Sequence, residues 1–117
     1  MIRELLETIP GVDVVALEDI PKAPVRPYLV LYPGAANPTS RRLDGQSHGR
    51  TITDRAVCVN NTDVGAVTIA KRVIDLLDGM HNGQQVTCWA GPTIADPDMT
   101  TGFRWSVTVE LTLRTNG

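Results

Sequence analysis

The most regular hydrophobic pattern lies at the C-terminal end of the chain. From position 103 to position 114 apolar residues alternate without a break with polar or charged ones. This period of two predicts a half-buried antiparallel strand, roughly 40 Å long at about 3.4 Å per residue, which exceeds a typical strand. We expect it to outrun its neighbours and to leave a backbone edge on which another subunit can add a strand. The apolar positions are Phe103, Trp105, Val107, Val109, Leu111 and Leu113.

Shorter apolar runs predict four more strands, over residues 12–17, 28–32, 52–60 and 85–90. Prolines bracket the second of these, which places Tyr28, Val30 and Tyr32 on one face and Leu29 and Leu31 on the other. The third run is apolar on both faces near its end, which favours a central position in the sheet. The proline- and aspartate-containing stretch 91–100 is predicted to be a turn-rich connection.

Two segments carry helical periodicity. Residues 2–8 predict a short helix that Pro10 and Gly11 end. Residues 63–78 predict an amphipathic helix, with Thr62 as its N-cap and Gly79 at its C-terminal end. Its apolar stripe is expected to consist of Val67, Ala70, Ile74 and Leu77, with Ala66 and Val73 beside it.

The predicted element order is therefore α-β-β-(long loop)-β-α-β-β. This order indicates an α+β fold, in which a single mostly antiparallel sheet carries two helices packed on one face. A chain of 117 residues is expected to form one domain, here residues 1–117.

A long polar stretch, residues 34–51, separates two of the predicted strands. Its only large apolar side chain is Leu43, and it holds three arginines against one acid in a chain of net charge −2. Unstructured loops of this length are uncommon in compact domains and are usually functional or disordered. Because arginine pairs readily with carboxylates, we interpret the stretch as a docking arm for another protein, although a merely solubilising loop is the alternative. Its candidate contact residues are Arg41, Arg42, Asp44, His48 and Arg50.

Composition excludes several classes of protein. The negative net charge argues against a dedicated nucleic-acid binder, and no apolar run approaches the ~20 residues that span a bilayer. The charged N-terminus does not resemble a signal peptide, so we expect a soluble protein made in the cytoplasm. Cys58 and Cys88 lie in apolar runs without a second ligand nearby, and we interpret them as reduced, buried thiols, with a disulfide as the alternative in an oxidising compartment.

Candidate catalytic chemistry is weak. His48 lies near Ser47 and Asp44, but these residues are neighbours on one loop, whereas triads need rigid placement from separate elements. Asp96 and Asp98 flank a proline and provide too few oxygen ligands for a divalent metal. The sequence therefore predicts no catalytic residue, no metal site and no cofactor.

The arrangement of these elements resembles that of the tail-terminator proteins of long-tailed bacteriophages, also called tail-completion, minor tail or head–tail joining proteins. The likeness rests on the run Pro27-Tyr28-Leu29-Val30-Leu31, on the strand Arg55–Val59 leading into a helix, and on the long C-terminal strand. In that helix the matching positions are Val67, Ala70, Leu76, Leu77 and Gly79.

The resemblance implies a structural role without catalysis. Such proteins form a ring, typically of six subunits, that caps the tail tube, stops its elongation and offers the head connector a docking face. The implied partners are further copies of the chain, the tube protein and the connector, and genomic DNA would pass through the lumen without being read. No membrane is involved; the protein would act in the virion, at the head–tail junction, after assembly in the host cytoplasm. The candidate residues for the ring interface are Tyr28, Tyr32, Arg104, Glu110 and Arg114.

Other functions stay open at this point. The chain is also compatible with another phage neck component, such as a head-closure or head–tail adaptor protein. A cellular adaptor that binds a protein through the long loop is a further alternative. The last is a small enzyme or metal-binding domain that uses His48 or His81.

Overall fold

A computed structural model describes residues 2–15, 20, 26–32, 36–38, 49–81, 83–96 and 102–116. Within these residues the chain forms two helices and seven strands. The elements are α1 (Ile2–Leu6), β1 (Asp13–Val15), β2 (Tyr28–Tyr32), β3 (Ala36–Pro38), β4 (Gly49–Asn60), α2 (Asp63–Leu77), β5 (Gly79–His81), β6 (Gln84–Ala95) and β7 (Trp105–Asn116).

All seven strands belong to one sheet, with the order β1-β2-β4-β7-β6-β5. The short β3 pairs with residues 50–52 of β4, and β2 pairs with residues 55–59 of the same strand. The first pair, β1 and β2, is parallel, and the other pairs are antiparallel. The three 12-residue strands β4, β7 and β6 form its centre, and the molecule measures 54 × 26 × 24 Å.

The predicted fold class is wrong. The described part of the chain is mostly sheet, with 54% strand against 24% helix, and the sheet is curled and mixed, because β1 pairs in parallel with β2. Of the two helices in the described part of the chain, α2 covers the sheet, whereas the five-residue α1 packs chiefly against α2. The prediction placed both helices on the sheet because each segment shows a helical period. A period does not reveal how much sheet a five-residue helix can cover.

The expected open edge on the C-terminal strand is also wrong. Strand β7 pairs with β4 from Trp105 to Asn116 on one side, and with β6 on the other. It is therefore a central strand, because its neighbours are as long as it is. Strand β4 begins at Gly49, inside the stretch expected to be a loop, and β6 continues to Ala95, through the stretch expected to be a turn.

The main core lies between α2 and the sheet. Alternate residues of β4, β7 and β6 point towards the helix, and α2 meets them with Ala66, Ile69, Ala70, Val73 and Leu77, all of which are buried. The predicted helix is thus confirmed in extent, but its buried stripe includes Ile69, which the prediction omitted, whereas Val67 and Ile74 are only partly buried. A smaller cluster of Tyr28, Val30 and Val59 lies on the opposite face of the sheet, against Phe103.

The start of α2 depends on a close approach between three residues. The Thr62 hydroxyl accepts a hydrogen bond from the Gly65 backbone N–H (2.9 Å), which confirms the predicted N-cap. A Cβ placed on Gly65 would lie 2.4 Å from Nδ2 of Asn60 and 2.7 Å from the Thr62 hydroxyl oxygen. Any side chain at this position must therefore displace the Asn60 amide and the capping hydroxyl of Thr62.

Replacing this glycine should lower stability, although helix propensity alone favours alanine. We expect Gly65→Ala to destabilise the domain by about 1 kcal/mol, because the methyl group displaces the Asn60 amide and the capping hydroxyl, and so outweighs the ~1 kcal/mol that alanine gains in a helix. Urea unfolding measures the change. In an Asn60→Ala background, where part of the clash is gone, the same substitution should cost less. A rise in stability for the single variant would contradict this account.

Candidate interaction face

Large apolar side chains are exposed on the face of the sheet that points away from α2, here called the outer face. Met80, Trp89 and Ile94 are 63%, 62% and 56% exposed, and they make up three of the five large apolar side chains exposed among the described residues. The pairing register places them on the outer face, since they stand opposite Gln85, Glu110 and Ser106 rather than opposite the buried residues of β6 and β7. Three exposed apolar groups on one face of two neighbouring strands favour a contact surface there.

A row of four side chains crosses the middle of the outer face. The register aligns Tyr32 of β2 with Arg55 of β4, Arg55 with Glu110 of β7, and Glu110 with Trp89 of β6. The Nε atom of Arg55 lies 3.5 Å from Oε1 of Glu110, and the two side chains are 62% and 39% exposed. An ion pair this exposed contributes little to folding. Both charges are thus accessible to a partner, with an aromatic ring at each end of the row.

Around this row the face is concave. A depression of about 450 Å³ is lined by Tyr32, Arg55, Val57, Thr108 and Glu110. Next to it, β6 bulges between Ala90 and Thr93. A Cβ on Gly91 would lie 3.9 Å from Cζ3 of Trp89, so the indole ring extends over the glycine. The outer face therefore combines a depression over β4 and β7 with an aromatic projection on β6.

The free border of β6 is poorly suited to strand addition. Beyond β5, the Cys88 backbone N–H donates to the Asp78 carboxylate (3.1 Å), and Pro92 has no N–H to offer. Bulges and prolines on edge strands prevent further pairing. At the opposite border, β1 has only three residues, and Asp13 pairs with Arg26, whose hydrogen bond lowers the pKa of the Asp13 carboxyl. Contacts with other proteins are therefore better placed on the outer face than at its borders.

The predicted contact residues fall into three groups. Arg41, Arg42, Asp44 and His48 lie outside the described residues. Arg50 belongs to β4, where it pairs with Pro38 and Thr115, so it is part of the sheet and not of a loop.

Three of the five residues predicted for the ring interface lie on the same face of the sheet. Tyr32, Glu110 and Arg114 lie on the outer face, whereas Tyr28 is only 4% exposed, and burial raises the pKa of its hydroxyl. Tyr28 is therefore unavailable as a contact residue in the single chain. Arg104 is exposed just before β7, and its guanidinium carbon lies 5.8 Å from the ring centre of Trp105.

The sequence reasoning missed Arg55, Trp89, Ile94 and Met80. A signal for Trp89 was present, because Val86, Cys88 and Ala90 alternate with Gln85, Thr87 and Trp89. That alternation assigns Trp89 to the polar side of the strand, and a tryptophan on a polar face is unexpected in a monomer. Ile94 could not be assigned to a face, because the bulge shifts the alternation.

The described residues include one histidine and two free thiols. The Nε2 atom of His81 lies 2.8 Å from the Leu77 carbonyl oxygen, at the end of α2. Burial raises the pKa of the Cys58 thiol from 9.0 to about 12, and burial together with Asp78 raises that of Cys88 to about 11. Both thiols are protonated at neutral pH and are weak nucleophiles. They are free, as predicted, and a disulfide is ruled out because β7 separates their strands, about 9.6 Å apart at the usual strand spacing.

Among the described residues, no group of three or more His, Cys, Asp or Glu side chains could hold a metal ion. In the same part of the chain, no helix is long and apolar enough to cross a membrane.

Comparisons with known proteins add no relative. No protein-family model matches the chain, and no curated protein matches it significantly.

Proposed function

We propose that this chain is a structural protein that forms a ring on the end of a bacteriophage tail tube. The ring stops elongation of the tube and provides the docking face for the head connector. It acts through shape and catalyses no reaction. Its partners are further copies of itself, the tube protein and the connector, and genomic DNA passes through the lumen. Its place is the head–tail junction of the virion, reached after assembly in the host cytoplasm.

The observation that carries the proposal is the exposed outer face of the sheet. A Trp89 ring that is 62% exposed, on the same face of β6 as the exposed Ile94, suits contact with another protein. The specific role comes from the resemblance of the Tyr28 strand, the strand–helix unit and the C-terminal strand to tail terminators.

The decisive experiment mixes the protein with assembled tail tubes and images the tube ends by electron microscopy. We expect a ring at one end of each tube, and tubes that no longer grow when fresh tube protein is added. Tubes that elongate unchanged, with bare ends at saturating protein, would refute the proposed function.

The polar stretch can be tested in the same assay. Because β3 ends at Pro38 and β4 begins at Gly49, only residues 39–48 can be removed without cutting a strand. We expect replacement of residues 39–48 by Asn-Gly, which with Gly49 makes a three-residue hairpin loop between the paired Pro38 and Arg50, to leave the melting temperature within a few degrees and to abolish capping of the tube.

The matched control keeps the length of the stretch and changes only its charge. Arg41→Ser and Arg42→Ser together should weaken capping without affecting the melting temperature. Normal capping by the shortened variant would show that the stretch is not a docking arm. A loss of folding would show that it contributes to the core.

A further inference from the structure

We propose that the outer face binds a second copy of this chain, so that the free protein is a two-fold dimer. The two sheets pack face to face about an axis that runs parallel to the strands, between β4 and β7. This inference does not depend on the ring proposed above. It concerns the protein before it meets the tube, when the exposed Trp89 and Ile94 would otherwise face water.

The order of side chains across the outer face is self-complementary about this axis. The middle row reads Tyr32, Arg55, Glu110, Trp89 from β2 to β6. A half-turn about the proposed axis exchanges β4 with β7 and β2 with β6. Arg55 of one copy then stands opposite Glu110 of the other, and Tyr32 opposite Trp89. Both charges meet an opposite charge and both aromatic rings meet another ring.

The distance between the two aromatic residues limits how many partner molecules can contact the outer face at once. Trp89 and Tyr32 lie three strand spacings apart, about 14 Å. If Tyr32 of one copy packed on Trp89 of the next in a head-to-tail arrangement, two different neighbours would contact these two residues. The narrowest dimension of the molecule is 24 Å, so two neighbours centred about 14 Å apart would overlap. With Tyr32 packed on Trp89, a single partner therefore contacts both ends of the row, and for identical chains this pairing requires a two-fold axis.

The size of the face suits one stable interface. The strands β4, β7 and β6 have 12 residues each, which gives a projected area of roughly 600 Å² at standard strand spacings. The accessible area exceeds the projection, because side chains stand out from the sheet. The projection itself lies below the roughly 800 Å² per partner of a standard interface, and the protruding Trp89 and Ile94 side chains add to it.

The charges favour this partner over others. Arg55 and Glu110 stand side by side and are both exposed. A strongly acidic or strongly basic partner would satisfy one of them and repel the other. A second copy presents each charge with its opposite.

The test uses two charge-reversal variants, each of which should lose the ability to dimerise alone but should form a dimer when the two are mixed. In Arg55→Glu the face carries two acids, and in Glu110→Arg it carries two bases. Each variant alone should be monomeric in analytical ultracentrifugation, with a dimer dissociation constant raised at least ~10-fold, because like charges face each other across the axis. An equimolar mixture should form a heterodimer, since the acidic face of one variant meets the basic face of the other.

Controls separate this effect from misfolding. Lys71→Glu makes the same kind of charge reversal on the exposed side of α2 and should dimerise like the unchanged protein, at twice 12.7 kDa. Trp89→Ala should weaken the dimer at least ~10-fold with no charge change, since tryptophans dominate binding energy at interfaces. Both reversal variants should melt within a few degrees of the unchanged protein, because the Arg55–Glu110 pair is exposed.

Several results would overturn the inference. These are a monomeric unchanged protein at 100 µM, single reversals that still dimerise, or a mixture that stays monomeric. A hexamer that Trp89→Ala dissolves would show that the face closes a ring instead. The tube-capping assay is read separately: capping by a monomeric protein would refute the dimer and leave the proposed function standing. A dimer that never caps tubes would refute the proposed function and leave the dimer standing.

Discussion

Val109→Asp is expected to unfold the domain. Val109 is 0% exposed at the middle of β7, with Ala56 and Ala90 on its two sides and α2 above it. A carboxylate at this position has no charged partner within the apolar cluster and must either stay ionised at high cost or become protonated. Either state removes more than about 4 kcal/mol, which is most of the stability of a domain of this size. Circular dichroism and urea unfolding at neutral pH measure the loss.

The matched control is the neighbouring residue. Thr108 is half-buried and points to the outer face, beside Arg55 and Glu110. Thr108→Asp introduces the same carboxylate one residue away, where water and the Arg55 guanidinium can reach it, and we expect a loss of less than about 1 kcal/mol. Equal losses for the two variants would contradict the assignment of the two faces of β7.

The alternation of apolar residues predicted the faces of the strands but not their places in the sheet. In β2 it assigned Leu29 to one face and Tyr28 and Val30 to the other, and the structure confirms this, with Leu29 in the main core and the other two in the smaller cluster. Alternation depends only on the strand itself. Neighbours are chosen by pairing between distant segments, so β7 could not be recognised as a central strand.

The local sequence also did not reveal how long the strands beside β7 are. Gly49 and Arg50 carry no strand signal, and the β-branched Thr51 is too little to predict one, yet all three pair with the last residues of β7. Similarly, Gly91 and Pro92 are typical of a turn, but here they form a bulge within β6. Bulges accommodate an extra residue without ending the strand, and a proline is tolerated there because no ladder hydrogen bond is required of it.

The candidate site was less accessible to prediction than the core. The sequence pattern placed contacts on the polar stretch and on strands now numbered β2 and β7, whereas three of the five large apolar side chains exposed among the described residues lie on β5 and β6. Tyr32 and Glu110, two of the predicted contact residues, lie on the outer face, but their alignment with Arg55 and Trp89 depends on register. Register joins residues that are far apart in sequence, so the row of four side chains appears only once the strands are paired.

Leu77→Ala is expected to cause the second-largest loss of stability. Leu77 lies in the last turn of α2 and is 0% exposed within the main core. Removing its side chain leaves a cavity between the helix and the sheet, and paired strands on one side cannot collapse to fill it. We expect the free energy of unfolding to fall by about 3–4 kcal/mol, within the usual range for a buried leucine.

The adjacent leucine provides the comparison. Leu76 is only partly buried, at the rim of a cleft that Arg72 and Asp75 also line. Water can enter the space that its truncation leaves, so Leu76→Ala should cost only about 1 kcal/mol. Urea unfolding of both variants therefore tests which side of α2 faces the sheet. A larger loss for Leu76→Ala would mean that the helix is rotated, with its buried stripe on residues other than Ala66, Ile69, Val73 and Leu77.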